Sequence, residues 1–495
     1  MHFFGMGYNI YAVFLLISTA GIPVAIAKQV SKYNTLGQED TSYYLLCQIL
    51  RLTLVLGLIF AAIMYIGSPI LAAWSGGGAD LVRVMKSLSW ALLLFPSMSV
   101  LRGFFQGFNN LKPYAMSQIA EQIIRVIWML LTAFMIMKIG SGDYVSAVVQ
   151  STFAAFIGMI ASVLVLLFFL RREGKLQAIF SAGNNDVDID ANAIIIETIK
   201  EAIPFIITGA AIQLFQIVDQ LSFINTMKLF TSHTTKELQI LYAYLSSNPN
   251  KVTMILISLA TAIGGAGIPL LTENFVNKDK KAAAHLVINS LQMLCMVLFP
   301  AMLGAIILAQ PLYTLFYGAP NSTALWLFVG ALLQVIFLAL YSLLAPMLQA
   351  LFENRKAIRY FGYGLIIKIV LQIPFIYFFH AYGPLLSTAI GLTIPIVLMY
   401  KRIYEVTRFN RKALLRGIFL VSILTAMMGV IVAIATVGLH FIVSPTTRVG
   451  SVVYIVLVGA LGVLVYGFLA LVTRLLDKLI GGRAKALRQK LHLER

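Results

Sequence analysis

Long runs of apolar residues separated by short polar segments dominate the pattern of hydrophobic and polar positions along this chain. Most runs reach about 20 residues, the length at which a helix crosses the hydrocarbon core of a bilayer. Strands of a membrane barrel would alternate apolar and polar residues instead. The pattern therefore predicts an all-α integral membrane protein with about 13 spanning helices. We predict these helices at 8–27, 46–73, 87–108, 114–137, 145–170, 198–227, 238–272, 283–309, 322–351, 357–379, 383–400, 415–439 and 451–473.

Composition supports a membrane protein, and this changes how the net positive charge is interpreted. Hydrophobic residues make up 60% of the 495 residues and charged residues 11%, against about 25% charged in soluble proteins. A net charge of +18 on a soluble protein would indicate nucleic acid, but basic loops orient membrane proteins, and we expect no nucleic-acid partner. Cys47 and Cys295 lie in apolar runs, so neither a disulfide framework nor a metal site is predicted, and no cofactor is expected.

The distribution of basic residues predicts the orientation. One set of loops, together with the C-terminal tail, holds 26 of the 37 Lys and Arg residues, and the opposite set holds six. Because basic loops stay in the cytoplasm, the first set and the C-terminus are predicted to be cytoplasmic, in a multi-pass protein of the cell membrane. The first span then begins outside, and we expect a further helix upstream of Met1. The six outer residues are Arg83, Lys86, Lys138, Lys228, Lys236 and Arg448.

Three short motifs recur in the same order at offsets of 242 to 246 residues, which indicates an internal duplication. Two repeated lobes around a central cleft are the usual plan of a transporter. The paired motifs are 20–23 with 266–269, 68–76 with 310–318, and 106–112 with 349–356. The predicted organisation is an N-terminal lobe at 1–170, a cytoplasmic linker at 171–197, a C-terminal lobe at 198–405, two additional helices at 406–475 and a basic cytoplasmic tail at 476–495 that contacts anionic lipid.

Ionisable residues inside predicted spans are functional candidates, because charge at membrane depth is costly. Gln118, Glu121, Gln122 and Arg125 fall on one helix face, with Arg125 roughly 18 Å from the cytoplasmic end. A self-neutralising structural ion pair is the alternative to a substrate cavity. Lys368 occupies the position of Arg125 in the second repeat, and two such cations would suit a diphosphate.

Further polar residues in the spans have both a functional and a structural interpretation. Arg102 can meet a phosphate arriving from the cytoplasm or extend to the headgroups. Lys251 follows an Asn-Pro-Asn segment that predicts a broken helix, a common feature of transporter sites. A second polar stripe can contact sugar or a coupling ion, or only bond helix to helix. It comprises Gln213, Gln216, Asp219 and Gln220.

The stretches 18–28, 102–107 and 118–125 resemble the polysaccharide transporter branch of the multidrug/oligosaccharidyl-lipid/polysaccharide (MOP) exporter superfamily, and within it lipid II flippases of the MurJ type from Gram-positive bacteria. The resemblance implies 14 helices, alternating access around a cationic cavity, and an undecaprenyl-diphosphate-linked sugar as cargo. The family's first helix is absent here, and its Tyr-Ala-Asp-Arg segment is replaced at 242–245. The resemblance transfers the role of that arginine to Lys251.

The leading hypothesis is a flippase, not an enzyme, that moves lipid II or a related cell-wall or polysaccharide precursor to the outer leaflet. Arg125, Lys368, Lys251 and Arg102 would hold the diphosphate. The alternatives are a cation-coupled multidrug exporter, which would use Asp219 and Glu121, a membrane-embedded glycosyltransferase, and a non-transporting scaffold of cell-wall synthesis. Besides the lipid-linked oligosaccharide and membrane lipids, cell-wall synthesis proteins are candidate partners, and we expect a monomer.

Overall fold

The computed structural model describes residues 2–19, 26–27, 29–30, 33–34, 37–108, 110–182, 203–204, 206–265 and 267–477. These residues form helices and connecting turns, with no β-strand among them, which confirms the all-α prediction. Nine helical segments of the described chain are long and apolar enough to cross a membrane, counting Asn354–Thr407 as one. The chain is therefore a multi-pass membrane protein.

The chain divides into two compact units, and the first is Met1–Gln239. Within it, α2 (Glu39–Trp74) packs against α3 (Gly78–Gly107), and α4 (Leu111–Phe134) packs against α5 (Tyr144–Arg172). The helix α4 continues into a π turn at Met135–Ile139. The helices of this unit are α1 (His2–Thr19), α2 (Glu39–Trp74), α3 (Gly78–Gly107), α4 (Leu111–Phe134), α5 (Tyr144–Arg172), α6 (Lys175–Ala182) and α7 (Ala211–Phe230).

The second unit is Ile240–Arg495, and the helix α8 (Thr235–Tyr242) crosses the boundary between the units. Within the second unit, α14 (Asn354–Phe379) and α15 (Gly383–Thr407) form a hairpin joined by a short 3₁₀ turn at His380–Tyr382. The other helices are α9 (Asn248–Gly265), α10 (Ile268–Val276), α11 (Lys280–Ile307), α12 (Ala309–Tyr317), α13 (Ser322–Ala350), α14 (Asn354–Phe379), α15 (Gly383–Thr407), α16 (Arg411–His440) and α17 (Arg448–Val472).

Side-chain caps define where several of these helices begin. Asp143 accepts hydrogen bonds from the backbone N–H groups of Val145 and Ser146 at the start of α5. Asn321 and Asn410 cap α13 and α16 in the same way. Each cap satisfies a donor that the first helical turn leaves unpaired, so short polar residues before apolar runs fix the boundaries.

The predicted number of about 13 spans stays a prediction. Parts of the predicted spans 8–27 and 198–227 lie outside the described residues. The predicted linker at 171–197 contains the short helix α6 where it is described, and the tail from 478 onward lies outside the described residues. The division into compact units falls after Gln239, and α7 packs against α1 within the first unit; the lobe boundary at 198 stays a prediction.

The prediction of a broken helix at the Asn-Pro-Asn segment is wrong, because the helix continues through this segment. Residues 235–265 continue as one helical path through a π turn at Ala243–Ser247, directly before Asn248 and Pro249. A wider turn accommodates a proline that lacks an N–H group without ending the helix. The interruption lies further along the chain, between Gly265 and Ile268.

Candidate cation sites in the two units

Three ionisable side chains of the first unit form a connected buried triad. Arg102 on α3 donates through Nη2 to Oε2 of Glu121 on α4 at 2.8 Å. Arg125, one helical turn beyond Glu121, donates through Nη2 to the other carboxylate oxygen. Glu121 is 5% exposed, so both charges that balance it come from the protein. The triad carries one net positive charge, which a self-neutralising pair would not.

Two serines complete the coordination of Arg102. Its Nε donates to Ser117 Oγ at 3.0 Å, and its Nη2 donates to Ser162 Oγ on α5 at 2.9 Å. The guanidinium group also lies 5.8 Å from the ring centre of Tyr114. Arg102 is therefore held inside the packing of α3, α4 and α5, and it does not extend to the headgroups.

The sequence positions this triad through helical spacing and one close helix contact. Ser117, Glu121 and Arg125 recur every four residues, which places them along one face of α4. A Cβ atom at Gly158 on α5 would lie 2.8 Å from the backbone oxygen of Glu121. Only glycine permits this approach, and it brings Ser162, one turn later on α5, within reach of the triad.

Arg125 is the most exposed member of the triad. Its side chain is 27% exposed, against 11% for Arg102 and 6% for Glu121, although its Nε is buried and has no hydrogen-bond partner within the described residues. Gln118 and Gln122, predicted on the same stripe, are both exposed beside it. The arrangement can present the exposed part of one guanidinium group and two amides to an anion, while Glu121, itself bound by Arg102, holds that guanidinium in place.

Lys368 occupies a different environment from Arg125, with which the predicted repeat pairs it. It is 0% exposed, inside the hairpin of α14 and α15. Its ammonium group donates to Pro384 O at 3.2 Å, Ser387 Oγ at 3.0 Å and Thr388 Oγ1 at 2.6 Å. The hairpin is close because Gly364 admits the backbone of Gly391, whose oxygen would lie 2.4 Å from an added Cβ atom. In this conformation Lys368 is not presented to a cavity.

Lys251 is exposed near an aromatic cluster of the second unit. Its ammonium lies 5.3 Å from the ring centre of Tyr317 and 5.8 Å from that of Phe316, which permits cation–π attraction. Asn248, in the segment that follows the π turn, donates to the hydroxyl of Tyr313 at 2.7 Å. The π turn and the hydrogen bond from Asn248 to Tyr313 fix the orientation of the first turn of α9, on which Lys251 lies.

The second polar stripe contains one buried glutamine that bonds to other helices and three partly buried residues. Gln220 is buried, accepts from Asn9 at 3.3 Å, and donates to Met6 O and Ser75 Oγ at 3.0 Å each. These bonds hold α7 to α1 and to the turn after α2, as the helix-bonding alternative predicts. Gln213, Gln216 and Asp219 are partly buried on the same helix.

Two more amides bind the turn that Gln220 contacts. Asn225 donates to Trp74 O at 2.7 Å, and Gln239 donates to Gly76 O at 2.6 Å. The backbone of this turn is therefore bound by side chains from α7 and α8, which explains why both helices begin in the first compact unit.

Two groups near the triad were absent from the sequence prediction. Ser117 could have been found, because it precedes Glu121 by four residues on the predicted face. Ser162 gave no signal, since a serine in an apolar run has no distinguishing pattern and its contact with Arg102 depends on helix packing.

An apolar cavity of about 580 Å³ lies within the second unit. Its walls come from α9, α11, α12, α16 and α17. Representative lining residues are Leu256, Pro300, Leu312, Met428, Val458 and Tyr466.

Comparison with known proteins identifies the family. The model of the family described as "Polysaccharide biosynthesis protein" matches residues 3–275. The lipid II flippase MurJ of Bacillus subtilis is 33% identical over an alignment 494 residues long, which covers 97% of this chain and 90% of that protein. The chain belongs to the polysaccharide biosynthesis protein family. An uncharacterized membrane protein of the same organism, YabM, is 24% identical over 90% of this chain and 81% of its own length.

Solved structures support the fold of this family member. A MurJ structure in an inward closed conformation superimposes with a TM-score of 0.57 at 13% identity, covering 97% of each chain. An inward-facing MATE transporter of the MOP superfamily gives a TM-score of 0.62 at 13% identity, covering 82% of this chain and 90% of its own. The polysaccharide biosynthesis protein therefore has the MOP-superfamily fold. The relative that covers nearly the whole chain is named a flippase, which confirms the prediction that this protein is not an enzyme.

Proposed function

We propose that this protein is a flippase for an undecaprenyl-diphosphate-linked saccharide, lipid II or a related cell-wall or polysaccharide precursor. The observation that carries this proposal is the 33% identity, over 97% of the chain, to a protein named lipid II flippase. The membership in a polysaccharide biosynthesis family supports the same class of cargo.

The diphosphate would be bound by Arg125, the most exposed member of the triad. Guanidinium groups pair with phosphate oxygens through charge-assisted hydrogen bonds. Glu121 and Arg102 would hold the guanidinium group in place, and the net positive charge of the triad would favour an anion. Gln118 and Gln122 lie beside Arg125 and offer amide donors and acceptors for the first sugar.

The apolar cavity in the second unit supports a role in accommodating the lipid tail. Its lining consists of aliphatic and aromatic side chains from five helices, together with glycines such as Gly304 and Gly459. A polyprenyl chain needs no polar partner there, since van der Waals packing suffices in an apolar site. Lys251, next to Phe316 at the edge of this cavity, would attract the diphosphate that follows the tail.

Transport would follow alternating access, with the lobe 1–170 rocking against 198–405 and the cargo moving from the inner to the outer leaflet. The charge bias of the loops supports a cytoplasmic C-terminus and therefore an approach of the diphosphate from inside. Buried Lys368 would become accessible only if the hairpin of α14 and α15 changes during the cycle.

The test of cargo class is flipping in reconstituted vesicles. The full chain is placed in vesicles with a fluorescent undecaprenyl-diphosphate sugar, and a membrane-impermeant quencher reports the fraction in the outer leaflet. Protein-free vesicles and a fluorescent phospholipid serve as controls. We expect protein-dependent flipping of the lipid-linked sugar and no acceleration of the phospholipid.

Two other results would replace the proposal. Export of a cationic drug driven by an imposed cation gradient, without flipping of the lipid-linked sugar, would favour the multidrug exporter that uses Asp219. No transport of either compound by a protein with an unchanged melting curve would favour the scaffold of cell-wall synthesis.

A further inference from the structure

A cationic pocket of about 230 Å³ lies on the first unit, away from the triad, between α2, α3 and α5. Lys86 and Arg83 on α3 and Gln150 on α5 supply its polar groups. Arg83 donates to Ser146 Oγ at 3.0 Å and lies 3.9 Å from Asp143 Oδ2. Lys86 forms no ion pair within the described residues, so it is the cation of this pocket whose charge is not balanced by an acid.

The ring of Tyr65 contacts Lys86 at the pocket, and Tyr65 and Trp90 lie between the pocket and an apolar groove. Its ammonium lies 4.8 Å from the ring centre of Tyr65, within range of cation–π attraction. Tyr65 and Trp90 line both the cationic pocket and a second cavity of about 300 Å³. The walls of that second cavity are otherwise almost entirely apolar and include Leu58, Ala62 and Leu93.

The two cavities together have the chemistry of an amphiphile with a negative head and a hydrocarbon chain. Tyr and Trp sit preferentially where the headgroups of a bilayer meet its hydrocarbon core, so Tyr65 and Trp90 fit this boundary. Lys86 would then lie at headgroup depth, and Leu58, Ala62 and Leu93 at the depth of the acyl chain. Lys86 and Arg83 are also two of the six basic residues on the face with few basic loops.

We propose that Lys86, Tyr65, Trp90 and the groove below them form a binding site for an anionic phospholipid of the bilayer, of the phosphatidylglycerol type. Lys86 and Gln150 bind the headgroup phosphate, and the groove holds one acyl chain. The polar pocket, at about 230 Å³, suits a glycerol-sized headgroup and not a diphosphate that carries a disaccharide. The site is therefore distinct from the proposed cargo site at Arg125.

Trp90 provides a local reporter, because it is one of four tryptophans and its side chain is 49% exposed at the site. In one variant Trp90 is kept and the other three are replaced by phenylalanine. In a matched variant only Trp326 is kept, which is 60% exposed on α13 of the second unit. Both are reconstituted in phosphatidylcholine with increasing fractions of brominated phosphatidylglycerol, or of brominated phosphatidylcholine, and tryptophan quenching is measured.

We expect phosphatidylglycerol to be enriched about fivefold at Trp90 and not at Trp326, since one basic residue at an anionic surface contributes about 1 kcal/mol. Lys86→Gln should remove the enrichment, and Lys86→Arg should retain it, which separates loss of charge from misfolding. Equal quenching of Trp90 by both lipids, or enrichment unchanged in Lys86→Gln, would overturn the site. Stronger displacement by undecaprenyl phosphate than by unlabelled phosphatidylglycerol would overturn the assigned lipid.

Discussion

Arg102 Nη2 lies 2.8 Å from Glu121 Oε2, and this contact joins α3 to α4 inside the first unit. Because Arg102 already balances the buried carboxylate, the charge of Arg125 on the other side of Glu121 remains in excess. A structural ion pair and a binding residue are therefore both present, and they are different members of one triad.

Replacing Arg125 should weaken cargo binding with little effect on folding. Arg125→Ala leaves the neutral pair of Arg102 and Glu121 intact, so the melting temperature should change only slightly. A lost charge-assisted hydrogen bond costs about 1.5–3 kcal/mol, and we expect the affinity for an undecaprenyl-diphosphate sugar in detergent to fall about 10- to 150-fold. Lys138→Ala, which removes an exposed cation beyond the end of α4, is the matched control and should leave affinity unchanged.

Replacing Glu121, in contrast to replacing Arg125, should strongly reduce folding stability. Glu121→Gln leaves two guanidinium groups near each other without a counter-charge, and breaking a buried ion pair costs about 3–5 kcal/mol. Thermal unfolding in detergent should show a large loss of stability. The double variant Arg102→Gln/Glu121→Gln should recover part of the loss, because one of the two uncompensated cations is gone. A melting curve of Glu121→Gln equal to that of the parent would contradict the triad.

The oxygens around Lys368 should contribute to stability according to their distance. Thr388 Oγ1 accepts at 2.6 Å, and Thr388→Val removes this acceptor while keeping the shape of the side chain. We expect destabilisation of about 1.5–3 kcal/mol, typical of a hydrogen bond to a charged group. Thr393→Val on the same helix is the control, since the Thr393 hydroxyl is exposed and, within the described part of the chain, bonds only to Ala389 O. Equal melting temperatures for the two variants would show that Lys368 does not depend on this oxygen.

Glu353, in the turn before α14, should make stability depend on pH. Desolvation alone would raise the pKa of Glu353, but hydrogen bonds from Arg402 and Lys356, and then their charges, hold it below its usual value of about 4.5. A depressed folded-state pKa stabilises the protein above the unfolded-state pKa and ceases to do so as pH falls through the folded-state value. Glu353→Gln should therefore lower the melting temperature at about pH 7, and this deficit should shrink as pH falls below about 4.5. A deficit of Glu353→Gln that persists at low pH would contradict this explanation.

The sequence predicts the fold class because apolar runs of spanning length leave few alternatives to helices. It predicts the pair Glu121 and Arg125 for the same reason, since helical spacing alone places them on one face. Arg102 could not be joined to that pair from the sequence, because its contacts with Glu121 and Ser162 depend on how α3 packs against α4 and α5. Helix packing, not periodicity, decides such contacts.

Residues that occupy equivalent places in the repeat have diverged in their surroundings. Arg125 is partly exposed, whereas Lys368 is enclosed by oxygens of its own hairpin. Gln220 likewise belongs to a predicted polar stripe but binds backbone and side chains of α1 and the turn after α2. A pattern of polar residues identifies where the membrane interior is polar, and only the neighbours show whether that polarity is satisfied.

The most direct test of the cationic site is the rate at which vesicles containing Arg125→Ala flip the fluorescent undecaprenyl-diphosphate sugar, compared with the parent and with Lys138→Ala. The account predicts that Arg125→Ala loses at least about 10-fold in rate at equal reconstituted amounts and with an unchanged melting curve, while Lys138→Ala flips like the parent. Flipping by Arg125→Ala at the parent rate would contradict the assignment of the diphosphate to this triad.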